Sequence, residues 1–202
     1  MNKIGSHSYL LPQFAMSDEA MVLSAVKSIL RQSYWNDIHT KSGRKLSIQI
    51  TNAGDFGWFS DSKGYYYTPV HPITKQAWPS IPEVLKDLAI AAATKAGFLN
   101  FEPDCCLMNR YAIGTKLSLH QDVDEKDYSH PIVSISLGVP ASFLWGGFKR
   151  EDAVQKFALN HGDVIVFGGD DRLRFHGVDI IKKNTHSVMG DVRINLTFRK
   201  AS

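Results

Sequence analysis

The hydrophobic pattern changes period about halfway along the chain. In the first half two stretches repeat at helical spacing. Val22, Ala25, Val26, Ile29 and Leu30 form one stripe, and Ser17 ahead of Asp18 and Glu19 reads as its N-cap, with acidic residues at the positive end of the helix dipole. Val84, Leu85, Leu88 and Ala92 form the second stripe, with Ser80 as cap, Pro82 in the first turn and Gly97 as the stop. After Gly97 the period drops to two. Strands are predicted at residues 105–111, 116–120, 132–137, 143–145, 163–167, 173–176 and 193–199, with Gly, Pro and Asp between them. Short strands at this spacing predict an α+β fold, mainly β: a sandwich or jelly roll with the two N-terminal helices buttressing one sheet.

Composition narrows the class. With 202 residues, 44% hydrophobic and 21% charged, the chain reads as one soluble globular domain spanning 1–202 rather than a disordered protein. The longest apolar run, Leu88 to Ala93, is too short to span a membrane, and the first seven residues carry no apolar signal core. Cys105 and Cys106 are adjacent in an extended run and so point to opposite faces, which argues against a structural disulfide and for a cytoplasmic setting. The net charge of +3 permits an anionic partner without demanding one. No phosphate-binding glycine loop or dinucleotide fingerprint is present.

Residues 52–78 have a character of their own. Phe56, Trp58, Phe59, Tyr65, Tyr66, Tyr67 and Trp78 stand among turn residues, a density more than twice the 11% aromatic content of the whole chain. Two readings fit: a β-hairpin whose rings cap the core, or a surface that stacks planar ligands such as bases.

Candidate chemistry lies further on. In His120-Gln121-Asp122 the imidazole and carboxylate point the same way in an extended chain, about 7 Å apart, and can hold one edge of a metal ion. His176, which a strand-like segment leads into, is the preferred third ligand over His161, in a turn, and His186, in a polar loop. Two histidines and a carboxylate make the facial triad of non-haem Fe(II) oxygenases. In the last predicted strand Arg193, Asn195, Thr197 and Arg199 share one face and Ile194, Leu196 and Phe198 the other. The polar face is either a solvated outer surface or a barrel interior that grips an anion. The two arginines lie about 20 Å apart along an extended strand, so in the second case Arg193 grips the far end of a ligand and Arg199 serves the metal end or the metal's own carboxylate.

Taken together, His120-x-Asp122, His176, Arg193-x-Asn195-x-x-x-Arg199, Asn109-Arg110-Tyr111 and Gly57-Trp58 resemble the AlkB-type Fe(II)/2-oxoglutarate-dependent dioxygenases over roughly residues 52–199. The resemblance implies a double-stranded β-helix with its core at about 104–199 and a nucleotide-recognition lid at 52–78. It implies Fe(II) on His120, Asp122 and His176, and 2-oxoglutarate on Asn109, Tyr111, Arg193, Asn195 and Arg199, with O₂ as second cosubstrate. The activity implied is oxidative demethylation of N-alkylated bases, such as N1-methyladenine and N3-methylcytosine, with release of formaldehyde, succinate and CO₂ and direct reversal of alkylation damage.

For substrate, the resemblance implies that Trp58 and the His120 ring sandwich a flipped base and that Tyr65 contacts the strand backbone. Asp124 and Glu125 are read as acceptors for an exocyclic amine that favour a cationic base, and Arg150 as a phosphate contact. The expected partner is alkylated single-stranded DNA, with double-stranded DNA and RNA as further substrates, for a monomer with no membrane association. Arg174 departs from the pattern: two residues before His176, it is expected on the ligand's side, where the family implies an apolar or aromatic residue. Rival readings are an oxygenase acting on a protein or small metabolite, a metal-binding cupin of another activity, and a non-catalytic nucleic-acid reader.

Overall fold

The computed structural model describes residues 1–202. Two short strands, β1 (Asn2–Gly5) and β2 (Ser8–Leu11), precede a 3₁₀ turn at residues 16–18 and α1 (Glu19–Gln32). β3 (Asn36–His39) and β4 (Lys45–Gly54) lead into the hairpin β5 (Gly57–Asp61) and β6 (Gly64–Thr68), and α2 (Glu83–Lys95) follows. The remaining strands are β7 (Cys105–Tyr111), β8 (Leu117–His120), β9 (Ile132–Gly138), β10 (Ala141–Trp145), β11 (Gln155–Leu159), β12 (Val164–Phe167), β13 (His176–Val178) and β14 (Arg193–Arg199). An eight-stranded sheet in the order β1-β2-β12-β9-β14-β7-β4-β3 packs on a four-stranded sheet, β11-β10-β13-β8, and every pairing is antiparallel. This is the jelly roll that the strand spacing predicts.

The helices cover the outer face of the large sheet. Val22, Ile29, Leu85 and Leu88 pack there against Met108, Ile135, Val166, Leu196 and Phe198. On the inner face Ile132, Ile165 and Phe167 meet Phe143, Trp145 and Leu159 of the small sheet. All seven residues of β14 are buried. Its apolar positions serve the helices, so the Arg193–Asn195–Thr197–Arg199 face is the barrel interior, and the solvated alternative is overturned. The two cysteines obey the same alternation: Cys106 joins the helix-facing core, while Cys105 is paired in register with Arg199 on the other face, and both thiols are free.

The rings of the aromatic stretch divide between core and cavity. Phe59 and Trp78 are buried with Ile48, Ile50 and Tyr111 in a second core at the open end of the barrel. Trp58 and Tyr65 instead face the cavity. Asn52 ties the hairpin to β4, its side-chain amide donating to the Trp58 carbonyl and its oxygen accepting from the Trp58 amide, both at 3.0 Å.

Four expectations are corrected. Ser17 does not cap α1; its hydroxyl turns to the Asp18 carboxylate, and the 3₁₀ turn intervenes. Ser80 does not cap α2, because Pro82, with φ −57° and ψ 140°, already occupies the N-cap and its carbonyl receives the Leu85 and Lys86 amides. The large sheet recruits β1 to β4, so the barrel extends beyond 104–199 and residues 52–54 belong to β4 rather than to the hairpin. Residues 173–175 are not strand, since the Arg174 amide bonds to the Asp171 carbonyl in a turn and pairing begins at His176.

Candidate active site

Strand register assembles the metal-binding edge. His176 lies opposite His120 in the β13–β8 ladder, so the two rings share a face with centroids 4.5 Å apart. Asp122 follows just past the end of β8, with its carboxylate oxygens 3.7 Å from His120 Nε2 and 3.6 Å from His176 Nε2. The donor atoms of the three residues all fall within 4.8 Å of one another. Each Nδ1 faces a main-chain carbonyl, that of Ser118 at 2.9 Å for His120 and that of Arg174 at 3.0 Å for His176. A carbonyl only accepts, so Nδ1 carries the proton and each Nε2 presents a lone pair to the shared centre, the tautomer a metal requires. Desolvation in the cavity wall and the neighbouring His176 push the His120 pKa down to about 4. Burial alone would raise the Asp122 carboxyl, but Arg199, then His176 and His120, hold it well below the usual carboxylate range. Two ring nitrogens and one carboxylate thus converge, and the set fits a divalent iron.

The facing wall comes from the large sheet. Register places Tyr111 opposite Arg193 and Asn109 opposite Asn195, so all four point inward together. Arg193 is 1% exposed. Its Nη2 donates to Ser136 Oγ at 3.0 Å, while Nε and Nη1 have no partner and no carboxylate pairs with it. A buried guanidinium without an anion is costly, and a fork left open in this way has the shape and charge to receive a carboxylate. Asn195 is held by Ser134 Oγ at 2.7 Å and the Ile135 carbonyl at 3.1 Å. Arg199 is placed differently, donating through Nη2 to Asp122 Oδ2 at 2.7 Å. Along β14, then, Arg199 is spent on the Asp122 carboxylate while Arg193 faces no acid.

A cavity of about 730 Å³ connects these walls to the surface. At its mouth Trp58 stacks on Tyr65 with centroids 5.5 Å apart and planes 16° from parallel. Trp58 Nε1 donates to Asp124 at 2.8 Å, and Arg150 lies on the rim with Nη1 on the Leu119 carbonyl at 2.6 Å and its guanidinium 4.9 Å from the Phe175 ring.

Two residues are not where the sequence placed them. Glu125 is turned away from the mouth: its side chain is 1% exposed and paired with Arg172 at 3.0 Å and Arg199 at 3.2 Å. Arg174 does not enter the cavity, because the turn before β13 aims its guanidinium at Asp171 (2.6 Å) and the Gly146 carbonyl (3.0 Å), against Trp145 and Phe148. Sequence reasoning also missed Ser134 and Ser136, although they alternate with Val133, Ile135 and Leu137 and so belong to the inner face of β9. It missed Tyr67 and Arg172 as well. Tyr67 is two residues from Tyr65 and shares its face, whereas nothing in the local pattern marks Arg172.

A jelly roll whose interior carries two histidines and an aspartate opposite an unpaired arginine defines an iron- and 2-oxoglutarate-dependent oxygenase. The chain belongs to the 2OG-Fe(II) oxygenase superfamily, whose family profile matches residues 7–199, and within it to the AlkB-type dioxygenases, with Fe(II) as cofactor and 2-oxoglutarate as cosubstrate. It is 43% identical over 198 residues to the alpha-ketoglutarate-dependent dioxygenase AlkB of Escherichia coli (strain K12), covering 98% of this chain and 92% of that protein. The AlkB homolog of Caulobacter vibrioides (strain NA1000 / CB15N) is 40% identical over 187 residues, 92% of this chain and 83% of the relative. Among solved structures, that of OsALKBH1 superimposes with a TM-score of 0.84 at 31% identity, covering 98% of this chain and all of the other. No helix is long and apolar enough to cross a membrane.

Proposed function

We propose that this protein oxidatively removes methyl groups from the ring nitrogens of nucleic-acid bases, of the N1-methyladenine and N3-methylcytosine type, as direct reversal of alkylation damage. One observation carries the reading: a single cavity of about 730 Å³ joins the stacked Trp58–Tyr65 pair to the His–Asp–His cluster and the unpaired Arg193. The names of the relatives agree, since they include AlkB dioxygenases and, in Mus musculus, a nucleic acid dioxygenase ALKBH1.

His120, Asp122 and His176 would hold the iron, which when bound supplies the O₂-dependent oxidation of the substrate methyl coupled to loss of CO₂ from 2-oxoglutarate. The chain does the rest by positioning. Arg193 takes the far carboxylate of 2-oxoglutarate with Ser136 fixing its fork, while Asn109, Tyr111 and Asn195 complete that wall. Arg199 keeps the Asp122 carboxylate charged and oriented toward the ligand's metal end. The extruded base lies between Trp58 and the His120 ring, and Tyr65 backs Trp58 beside the strand. Asp124, held by the Trp58 indole, places a carboxylate at the mouth, which favours a base made cationic by alkylation. Arg150 is the phosphate contact on the rim. The hydroxylated methyl leaves the nitrogen as formaldehyde, with succinate and CO₂ as the other products.

In this reading residues 1–202 act as one catalytic unit with the hairpin as its lid. The unit works as a monomer in the cytoplasm, a setting suited to two unpaired thiols. Single-stranded DNA is the preferred substrate because an unpaired base costs least to extrude. The test is formaldehyde release from an oligonucleotide carrying one N1-methyladenine, given Fe(II), 2-oxoglutarate and ascorbate, as single strand, duplex and RNA. Fastest release from the DNA single strand is the expected result. Faster release from duplex overturns the strand preference, and faster release from RNA overturns the choice of DNA.

A further inference from the structure

The side of the hairpin that carries Tyr65 also carries Tyr67, whose ring goes inward. Its hydroxyl donates to Glu125 Oε1 at 2.6 Å. Glu125 in turn stands between two arginines, Arg199 Nε at 3.2 Å and Arg172 Nη2 at 3.0 Å. Both arginines end on Asp122: Arg199 on its Oδ2 at 2.7 Å, and Arg172 through Nη1 on its main-chain carbonyl at 2.9 Å. Asp122 is therefore gripped at side chain and backbone by two cations, and both are located by one carboxylate. That carboxylate is itself fixed by a tyrosine of the hairpin. Two arginines and two acids balance in charge, so the group tolerates burial as a unit.

An aspartate carboxyl rotates broadly about its last torsion, and a donor seated on one oxygen decides which oxygen faces the two histidines. Arg199 sits on Oδ2, the oxygen 3.6 Å from His176 Nε2, and Glu125 sets the angle from which it does so. We propose that Tyr67 and Glu125 are positioning residues for the metal-binding carboxylate, acting through Arg199 and Arg172, and that they anchor the hairpin to the metal edge. The inference rests on the assignment of His120, Asp122 and His176 as ligands and is independent of the nucleic-acid substrate.

Co(II) titration of the metal-free protein, followed by the visible absorption of the bound ion with thermal melting alongside, tests it without turnover. Tyr67→Phe keeps the ring and removes only the hydroxyl; it should weaken Co(II) binding about tenfold and alter the spectrum at saturation. Glu125→Gln should weaken binding further, since it leaves two arginines facing one carboxylate. Tyr66→Phe should bind as wild type, because the Tyr66 hydroxyl bonds instead to Asp61, at 2.8 Å, within the hairpin. Wild-type affinity and spectrum in Tyr67→Phe, whatever its melting temperature, overturns the proposal alone. Undiminished Co(II) binding by His176→Ala overturns the ligand assignment, and the proposal with it.

Discussion

Arg193 shows how one residue trades stability for binding. Its charge is buried with no anion beside it, and burial lowers its pKa from the usual arginine value. Arg193→Met should therefore raise the stability of the ligand-free protein by about 1–2 kcal/mol while abolishing the rise in melting temperature that 2-oxoglutarate with Mn(II) produces in the wild type. Thermal melting with and without those ligands checks both halves. At the other end of the cavity, Trp58→Ala should weaken binding of an alkylated oligonucleotide by about 1–3 kcal/mol, measured by fluorescence anisotropy. Slow succinate formation without substrate should stay unchanged, because the variant leaves the metal edge intact. At this scale the triad was legible because His120 and Asp122 are two apart and an arginine strand follows. Glu125 was misread beside Asp124 because the chain bends there, past the end of β8, and turns the second carboxylate inward to Arg172 and Arg199. Arg172 was not legible, since its partners come from segments some fifty residues away.

Among elements, β14 was the easiest to read and β4 the hardest. Strict alternation marks β14, with apolar positions for the helices and polar ones for the cavity. β4 is broken up by Ser47, Gln49, Thr51 and Asn52, whose side chains bond within the fold, as Thr51 does to Ser33 and Asn52 to Trp58. The N-terminal hairpin β1–β2 joins the large sheet through backbone pairing with β12 and is pinned by Asp171, which accepts from the His7 amide (2.7 Å), the Ser8 hydroxyl (2.8 Å) and Arg174 Nε (2.6 Å). Burial alone would raise the Asp171 carboxyl, but these bonds, with Arg174 foremost, hold it below the usual carboxylate range. A carboxyl depressed in the folded state stabilises the fold above its unfolded pKa, and the contribution is lost as pH falls through the folded value. Asp171→Asn should thus cost about 3 kcal/mol at pH 7 and almost nothing in the most acidic range where the protein stays folded, as urea titrations at several pH values would show. The β5–β6 hairpin has its own tight point at Gly57, where a β-carbon would run into the Trp78 ring. Gly57→Ala should destabilise the protein by about 2 kcal/mol in the same titration and lower oligonucleotide affinity more than 2-oxoglutarate affinity.

For the whole molecule, the barrel is apolar toward its helices and polar toward its cavity at the active end. That inversion explains why composition alone points only to an ordinary globular chain. A net charge of +3 does not announce a nucleic-acid enzyme, because Arg172, Arg193 and Arg199 are buried, two of them paired with acids. Order along the chain was legible, whereas the closure of the large sheet by N-terminal strands was not, since long-range pairing leaves little local trace. What the cavity couples is the oxidation of one small acid to the demethylation of one base, and coupling can be counted. The most direct measurement is the ratio of formaldehyde to succinate released from a single-stranded N1-methyladenine oligonucleotide, in the wild type and in His176→Ala. Equal amounts are expected from the wild type and neither product from the variant. Succinate without formaldehyde from every alkylated nucleic acid offered would rule out a base demethylase.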